Sequence, residues 1–243
     1  MEIKNRFNIS QVKNFWDSIA EKYDEENKKI AEVHLQRFVK SLNWLKINDN
    51  SRILNVWSRT GTAIKYLRRR NQNFSLYNLE VSPKLMARAK IKFPEENFAL
   101  TDLCNFNFAD NFFDEVLSLE TIEHCPRPKQ FLQEINRVLK TGGRLIMSSP
   151  PAICEPIYAL YNFCGFGHGE GPHRFLSPKT VKKLLREAGF QLKEHKGTIL
   201  VPLGPKIIRK IGEKIINKFQ NTFIKELGIR QFYVSTKKSN SNL

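Results

Sequence analysis

With 243 residues, 41% of them hydrophobic and 11% aromatic, the chain is long enough to bury a large core, and its composition excludes wholesale disorder. No apolar run approaches membrane-spanning length, and "MEIKNRFNIS" lacks the apolar centre of a secretion signal, so a cytoplasmic protein is expected. A net charge of +16 favours anionic partners, whether nucleic acid, an acidic membrane surface or phosphorylated substrates; the alternative is a diffusely solvated basic surface.

In chain order, "SQVKNFWDSIAEKYD" spaces Val12, Phe15, Trp16, Ile19 and Tyr23 on one helical face, with Ser10 as the expected cap. "NKKIAEVHLQRFVKSLNWL" continues with Ile30, Val33, Leu35, Phe38, Leu42 and Leu45. After a polar turn, "RILNVW", "FSLYNLEV", "NFALTD", "FDEVLSLE" and "RLIMSSPP" read as successive strands. The helical stretches between them include "TAIKYLRRR", then "SPKLMARAKIKF" with Ser82 at the cap and Pro83 in the first turn, then "RPKQFLQEINRVLK", which "TGG" is expected to close. This alternation predicts a doubly wound, parallel α/β sheet.

From Ala152 to Ser177 the pattern fails. Gly165, Gly167, Gly169 and Gly171 among aromatics and histidines predict a mobile lid. "SPKTVKKLLREAGF" resumes as a capped helix, and "QLKEHKGTIL" and "RQFYVSTKK" read as the last strands, before a frayed tail, "KKSNSNL". Cys104, Cys125, Cys154 and Cys164 match no zinc or redox spacing and are expected to be small buried side chains.

Several of these segments together resemble class I S-adenosylmethionine-dependent methyltransferases of the broad small-molecule type. "FWDSIAEKYD" is similar to the N-terminal helix that such enzymes place over the cofactor. "HCPRPKQFLQEINRVLKTGGRLIMSSP" resembles their passage from the fourth strand to the fifth, and "RFLSPKTVKKLLREAGF" their late helix. The resemblance implies one methyltransferase domain with a seven-stranded, mostly parallel sheet. In it, 1–48 would supply N-terminal helices, 52–150 the cofactor core, 151–177 the lid and 178–236 the C-terminal core with an amphipathic helix over 206–227.

It also implies a cofactor, S-adenosylmethionine, and places for it. Glu80, ending the second strand, would take the ribose hydroxyls; Asp102, with Leu103 beside it, would meet the adenine; Leu119, Glu120 and Thr121 would lie by the methyl group, and Tyr23 would come over the top. For Glu80 and Asp102 the plain alternative is a helix cap or a surface charge. The glycine loop departs from the family pattern. Asn55 stands for aspartate, Trp57 and Arg59 for the first two glycines, and only Gly61 remains. There are two accounts: Arg59 pairs with the cofactor's carboxylate while Trp57 packs on it, or both side chains fill the site and leave a binding protein without a cofactor; the retained Glu80, Asp102, N-terminal helix and glycine-rich lid favour the first, a modified but working loop.

Methyl transfer needs a base only when the acceptor must lose a proton. His124, after the fourth strand, and His173, in "GHGEGPHRF", are the candidates; His168 and Glu170 with His173 lack a third ligand for a metal. In "KIIRKIGEKIINKFQNTFIKEL", Ile207, Ile211, Ile215, Phe219 and Phe223 recur every fourth residue, with Ile208 and Ile216 beside them and lysines mostly opposite. Such a helix is expected to bury its apolar face in its own protein; the alternative is to lie on an anionic membrane or line a pocket for a lipid-linked acceptor. Charge alone suggests a nucleic-acid methyltransferase, and no RNA-binding module supports it.

Overall fold

The computed structural model describes residues 3–29, 31–156, 158, 171–201 and 205–239. Most of the expected lid, with Cys164, His168 and Glu170, and the end of the expected tail lie outside the described residues, as does Ile30. Three helices come first: α1 (Ile9–Ile19), α2 (Tyr23–Lys29) and α3 (Ala31–Leu42). The strands are β1 (Arg52–Val56), β2 (Ser75–Glu80), β3 (Asn97–Leu100), β4 (Phe113–Leu119), β5 (Leu139–Ser149), β6 (Phe190–Thr198) and β7 (Arg230–Lys237). Between and after them run α4 (Thr62–Arg70), α5 (Pro83–Lys92), α6 (Pro128–Val138), α7 (Pro178–Glu187) and α8 (Lys206–Lys218).

The seven strands form one sheet in the order β3-β2-β1-β4-β5-β7-β6. β1 to β5 pair in parallel, and β7 runs antiparallel to both β5 and β6. The expected doubly wound, mostly parallel sheet is thus what the chain forms. Buried on both faces, its central strands can be apolar without alternation. Leu54, Val56, Leu79 and Val116 pack with Val12, Trp16, Leu85, Phe131 and Leu184 on one side. Ile53, Leu76, Leu117 and Ile146 meet Phe38, Leu42, Ile64 and Leu67 on the other.

Local chemistry sets the helix starts. Ser82 Oγ accepts from Leu85 N at 3.0 Å with Pro83 behind it, and Ser177 accepts from Thr180 N at 3.2 Å with Pro178 in the same place. At α1 the cap is Asn8 rather than Ser10. Asn8 accepts from Gln11 N at 3.0 Å while the Gln11 side chain accepts from Asn8 N at 2.9 Å, a reciprocal pair that leaves Ser10, two residues on, inside the helix. "TGG" does not close α6 either: Leu139 ends it, and Gly142, at φ +76°, sits in a register shift of β5 against β4.

The predicted 206–227 helix stops at Lys218 and is followed by a short 3-10 turn, Phe223–Leu227. Its apolar residues are also not where a core helix would put them. Ile216 is buried, whereas Ile207 is 69% exposed, Ile211 50% and Phe223 74%. The reason is the anchor: Glu213 accepts from Lys40 Nζ at 2.9 Å, Gln36 Nε2 at 3.1 Å and Ile199 N at 2.6 Å, which turns the Glu213–Ile216 side inward.

Candidate functional site

Chain order reverses direction across the sheet at β1, with β2 on one side and β4 on the other. In open α/β sheets the crevice at the carboxyl ends of such strands is where ligands gather. Here the turn after β1 holds three alternating left-handed residues: Trp57 at φ 60°, Arg59 at 56° and Gly61 at 83°. Trp57 and Arg59 therefore keep the backbone that glycine adopts freely, each at a cost on the order of 1 kcal/mol or more. Gly61 begins α4, where an added Cβ would lie 2.8 Å from the Phe93 ring.

Glu80, fully buried at the end of β2, holds that turn. One carboxylate oxygen accepts from Arg59 N at 2.6 Å; the other accepts from Val81 N at 2.9 Å and Ser82 N at 3.0 Å. Burial pushes its pKa up, while the Arg59 charge and the three N–H donors push it down; burial prevails. Thr60 Oγ1 donates to Asp24 at 2.7 Å and so ties the turn to α2.

The side chains of the turn point into an aromatic cluster. Trp16 of α1 meets Trp57 with ring centroids 5.7 Å apart, Tyr23 at 5.9 Å and His124 at 5.7 Å, all edge to face; Trp57 and His124 are 5.0 Å apart. The Arg59 guanidinium carbon lies 3.4 Å from the Trp57 ring centroid and 4.0 Å from that of Trp16, and its Nη2 donates to Glu120 O at 3.3 Å. Trp57 is 3% exposed and Arg59 9%.

After β4, Glu120 takes a left-handed φ of 53°, and its carboxylate is paired with Arg37 of α3 and with Arg230 of β7. Burial works against the charge on Arg37, but Glu120 and Tyr23 outweigh it and hold the guanidinium above its ordinary value. Buried His124 donates from Nδ1 to Pro172 O at 3.0 Å, leaving Nε2 as the acceptor of the neutral ring. Burial first, then the Arg59 charge, lowers its pKa well below the ordinary value.

The remaining expected residues divide. Asn55 is turned along the sheet: its amide donates to Asn78 Oδ1 at 2.9 Å, and Asn78 in turn donates to Asn97 O. Asp102 caps its own turn through Cys104 N and Asn105 N, both at 2.8 Å, and Leu103, at φ 67°, is buried beside it. Two open depressions of about 370 and 390 Å³ flank Ile9, and Asp102 lines both. Leu119 is half-buried at the end of β4. His173 sits at the far side, donating from Nδ1 to Gly171 O at 2.7 Å with its other nitrogen 3.7 Å from Glu155; its ring centroid is 6.2 Å from that of His124.

Trp16, Asp24, Arg37 and Arg230 were not singled out as site residues by sequence reasoning. Trp16 and Asp24 lay inside the segment that resembled the family's covering helix; nothing local marked the two arginines.

Residues 54–147 match the family model described as a methyltransferase domain. The chain carries an S-adenosylmethionine-dependent methyltransferase domain. It is 25% identical over 198 residues to a demethylmenaquinone methyltransferase of Thermotoga maritima, covering 73% of this chain and 86% of that one. Among solved structures, it superimposes on an S-adenosylmethionine-dependent methyltransferase of the same organism, described as a possible histamine N-methyltransferase. The TM-score is 0.70 at 20% identity, over 93% of this chain and 99% of that one. A [4+2]-cyclase, SpnF, fits as well, with a TM-score of 0.70 at 15% identity over 99% and 100% of the two chains. These likenesses establish the fold, and fold alone does not fix the reaction.

Tested against the cofactor of this domain, the two halves of the crevice disagree. The β3 end offers a carboxylate, Asp102, beside open space. The β1 and β4 ends, where the methionine half would lie, are filled by Trp57 and Arg59, and both oxygens of Glu80 already accept backbone N–H groups. In this arrangement the residues present do not fit the whole cofactor.

Proposed function

We propose that this methyltransferase acts at an anionic membrane surface, from the cytoplasmic side, on a lipid-linked small-molecule acceptor. The observation that carries this reading is the outward face of α8. Ile207, Ile208, Ile211 and Ile215 lie within about 100° of arc, and all four are exposed. Lys206, Lys210, Lys214 and Lys218, spaced four residues apart and also exposed, adjoin that stripe rather than lying opposite it as expected from the sequence. Phe219, Phe223 and Leu227, past the helix end, are exposed as well.

A contiguous apolar stripe in water is unfavourable by roughly 25 cal/mol per Å² and is rare without an interaction partner. Its lysine border selects an anionic partner, because lysine stems can lie along the apolar boundary while their ammonium groups reach phosphates. The net charge of +16 acts in the same direction over a longer range. Among the described residues no helix is long and apolar enough to cross a membrane, so the contact would be peripheral. The similarity to a protein named for demethylmenaquinone supports a quinone-like acceptor of this kind. On this reading the chain works as one methyltransferase domain, with His124 and His173 on the acceptor side of the crevice. The neutral His124 ring would serve as a proton acceptor through Nε2.

Vesicle co-sedimentation tests it. Phosphatidylglycerol vesicles should bind the protein at low salt and release it as salt rises, while phosphatidylcholine vesicles should bind it at least tenfold more weakly. Ile207→Asp combined with Ile211→Asp should abolish binding without changing the fold. Equal retention of that variant, or an α8-dependent dimer that leaves no free stripe, would overturn the membrane reading.

A further inference from the structure

The turn after β1 keeps a shape that disfavours the side chains it carries, so something must hold Trp57 and Arg59 there. Glu80 holds the backbone through Arg59 N, and the Arg59 side chain lies in an aromatic cation site. Two indole rings face the Arg59 guanidinium, Trp57 from 3.4 Å and Trp16 from 4.0 Å, and such rings attract a desolvated cation through their negative faces. The Glu120 carbonyl accepts from its Nη2 at 3.3 Å, and the buried Glu80 carboxylate interacts with its charge. The walls named here belong to the crevice at the carboxyl ends of β1, β2 and β4, or to the helix that covers it.

S-adenosylmethionine brings two positive groups to the methionine side of such a crevice, a sulfonium and an α-ammonium. The box is built for a cation, and the chain's own guanidinium is in it. We propose that Arg59 is a built-in competitor for the cofactor's positive end: the cofactor binds only when this side chain leaves the space between Trp16 and Trp57. Burial first, and then the Arg59 charge, lowers the proton affinity of His124, whose ring lies 5.0 Å from that of Trp57 beside the same guanidinium. The competition also selects among ligands. A molecule with a sulfonium can take over the aromatic box, whereas its demethylated product, S-adenosylhomocysteine, offers only a neutral thioether and the α-ammonium. The inference rests on the use of S-adenosylmethionine by this domain and is independent of the membrane reading.

Calorimetric titration with S-adenosylmethionine and S-adenosylhomocysteine tests it on the full chain. Arg59→Gly, which also relieves the backbone at this position, should raise affinity for S-adenosylmethionine at least tenfold and for S-adenosylhomocysteine by less. Arg59→Met keeps the stem between the rings and removes the charge, so it should show the same order with a smaller gain. Trp16 and Trp57 fluorescence gives a second readout, changing on binding in the parent because the guanidinium is displaced. Unchanged or weakened affinity in either folded variant would overturn the proposal, since Arg59 would then be a cofactor contact or a bystander. Absence of binding in all forms would overturn it together with cofactor use. Vesicle binding should be the same for Arg59→Gly as for the parent, so its loss or retention reports on the membrane reading alone.

Discussion

The turn after β1 and the helix α8 reverse each other's ordinary chemistry. The turn takes an arginine and a tryptophan into the interior at positions suited to glycine, and α8 sends isoleucines outward along a face that periodicity marks as a core face. Both departures follow from a neighbour. α1 brings Trp16 over the turn and gives the arginine an aromatic bed; α3 and the end of β6 grip Glu213 and so choose which side of α8 is inside. A hydrophobic period shows that a helix has an apolar face, but which element covers that face is a tertiary matter.

The largest effect should come from the charged side of the crevice. Glu120 joins Arg37 and Arg230, with side chains 18%, 10% and 7% exposed. Glu120→Ala would leave both guanidinium groups without this carboxylate and should cost about 3–5 kcal/mol in urea unfolding. A loss under about 1 kcal/mol would mean that water reaches the cluster, and the contrast between a sealed crevice and an exposed α8 would fail.

A somewhat smaller loss should follow on the inward side of α8. Ile216 is fully buried, and its Cδ1 approaches Gly228 so closely that a Cβ built there would lie 2.6 Å away. Ile216→Ala should cost about 2–4 kcal/mol, transfer and cavity terms together, measured by the same unfolding curves. A negligible effect would show that α8 is loosely held and would remove the structural reason for its exposed stripe.

How much of this the sequence disclosed depends on how local the cause is. Ser82 with Pro83 and Ser177 with Pro178 are cap signals contained within a few residues, and both read correctly. The apolar runs of β1 and β4 and the helices between strands were legible for the same reason, and so was a carboxylate at the end of β2. The direction of the Arg59 side chain was not, because it depends on a helix more than forty residues earlier in the chain. The grouping of Arg37, Glu120 and Arg230 draws on three distant segments with no shared motif. Asn55 was placed by analogy with a ligand-facing aspartate, yet its register partner Asn78 offers a nearer acceptor within the sheet. Local chemistry survives the step from sequence to structure; the choice among partners is made by packing.

The smallest effect is the most discriminating. Ile211 lies on α8 five residues before Ile216, in the same helix and of the same residue type, but half of its surface meets solvent. Ile211→Ala removes no packed neighbour of the core, and alanine has the higher helix propensity, so stability in the absence of membrane should change by less than about 0.5 kcal/mol. Partitioning onto phosphatidylglycerol vesicles should nevertheless weaken, since roughly three methylene-sized groups at about 0.8 kcal/mol each no longer enter the interface. If Ile211→Ala destabilises the protein as much as Ile216→Ala at every protein concentration, the stripe is covered by the chain itself. If the loss grows with protein concentration, a second copy covers it. Only a near-silent substitution in solution, paired with weaker vesicle binding, leaves the isoleucine face of α8 to a membrane.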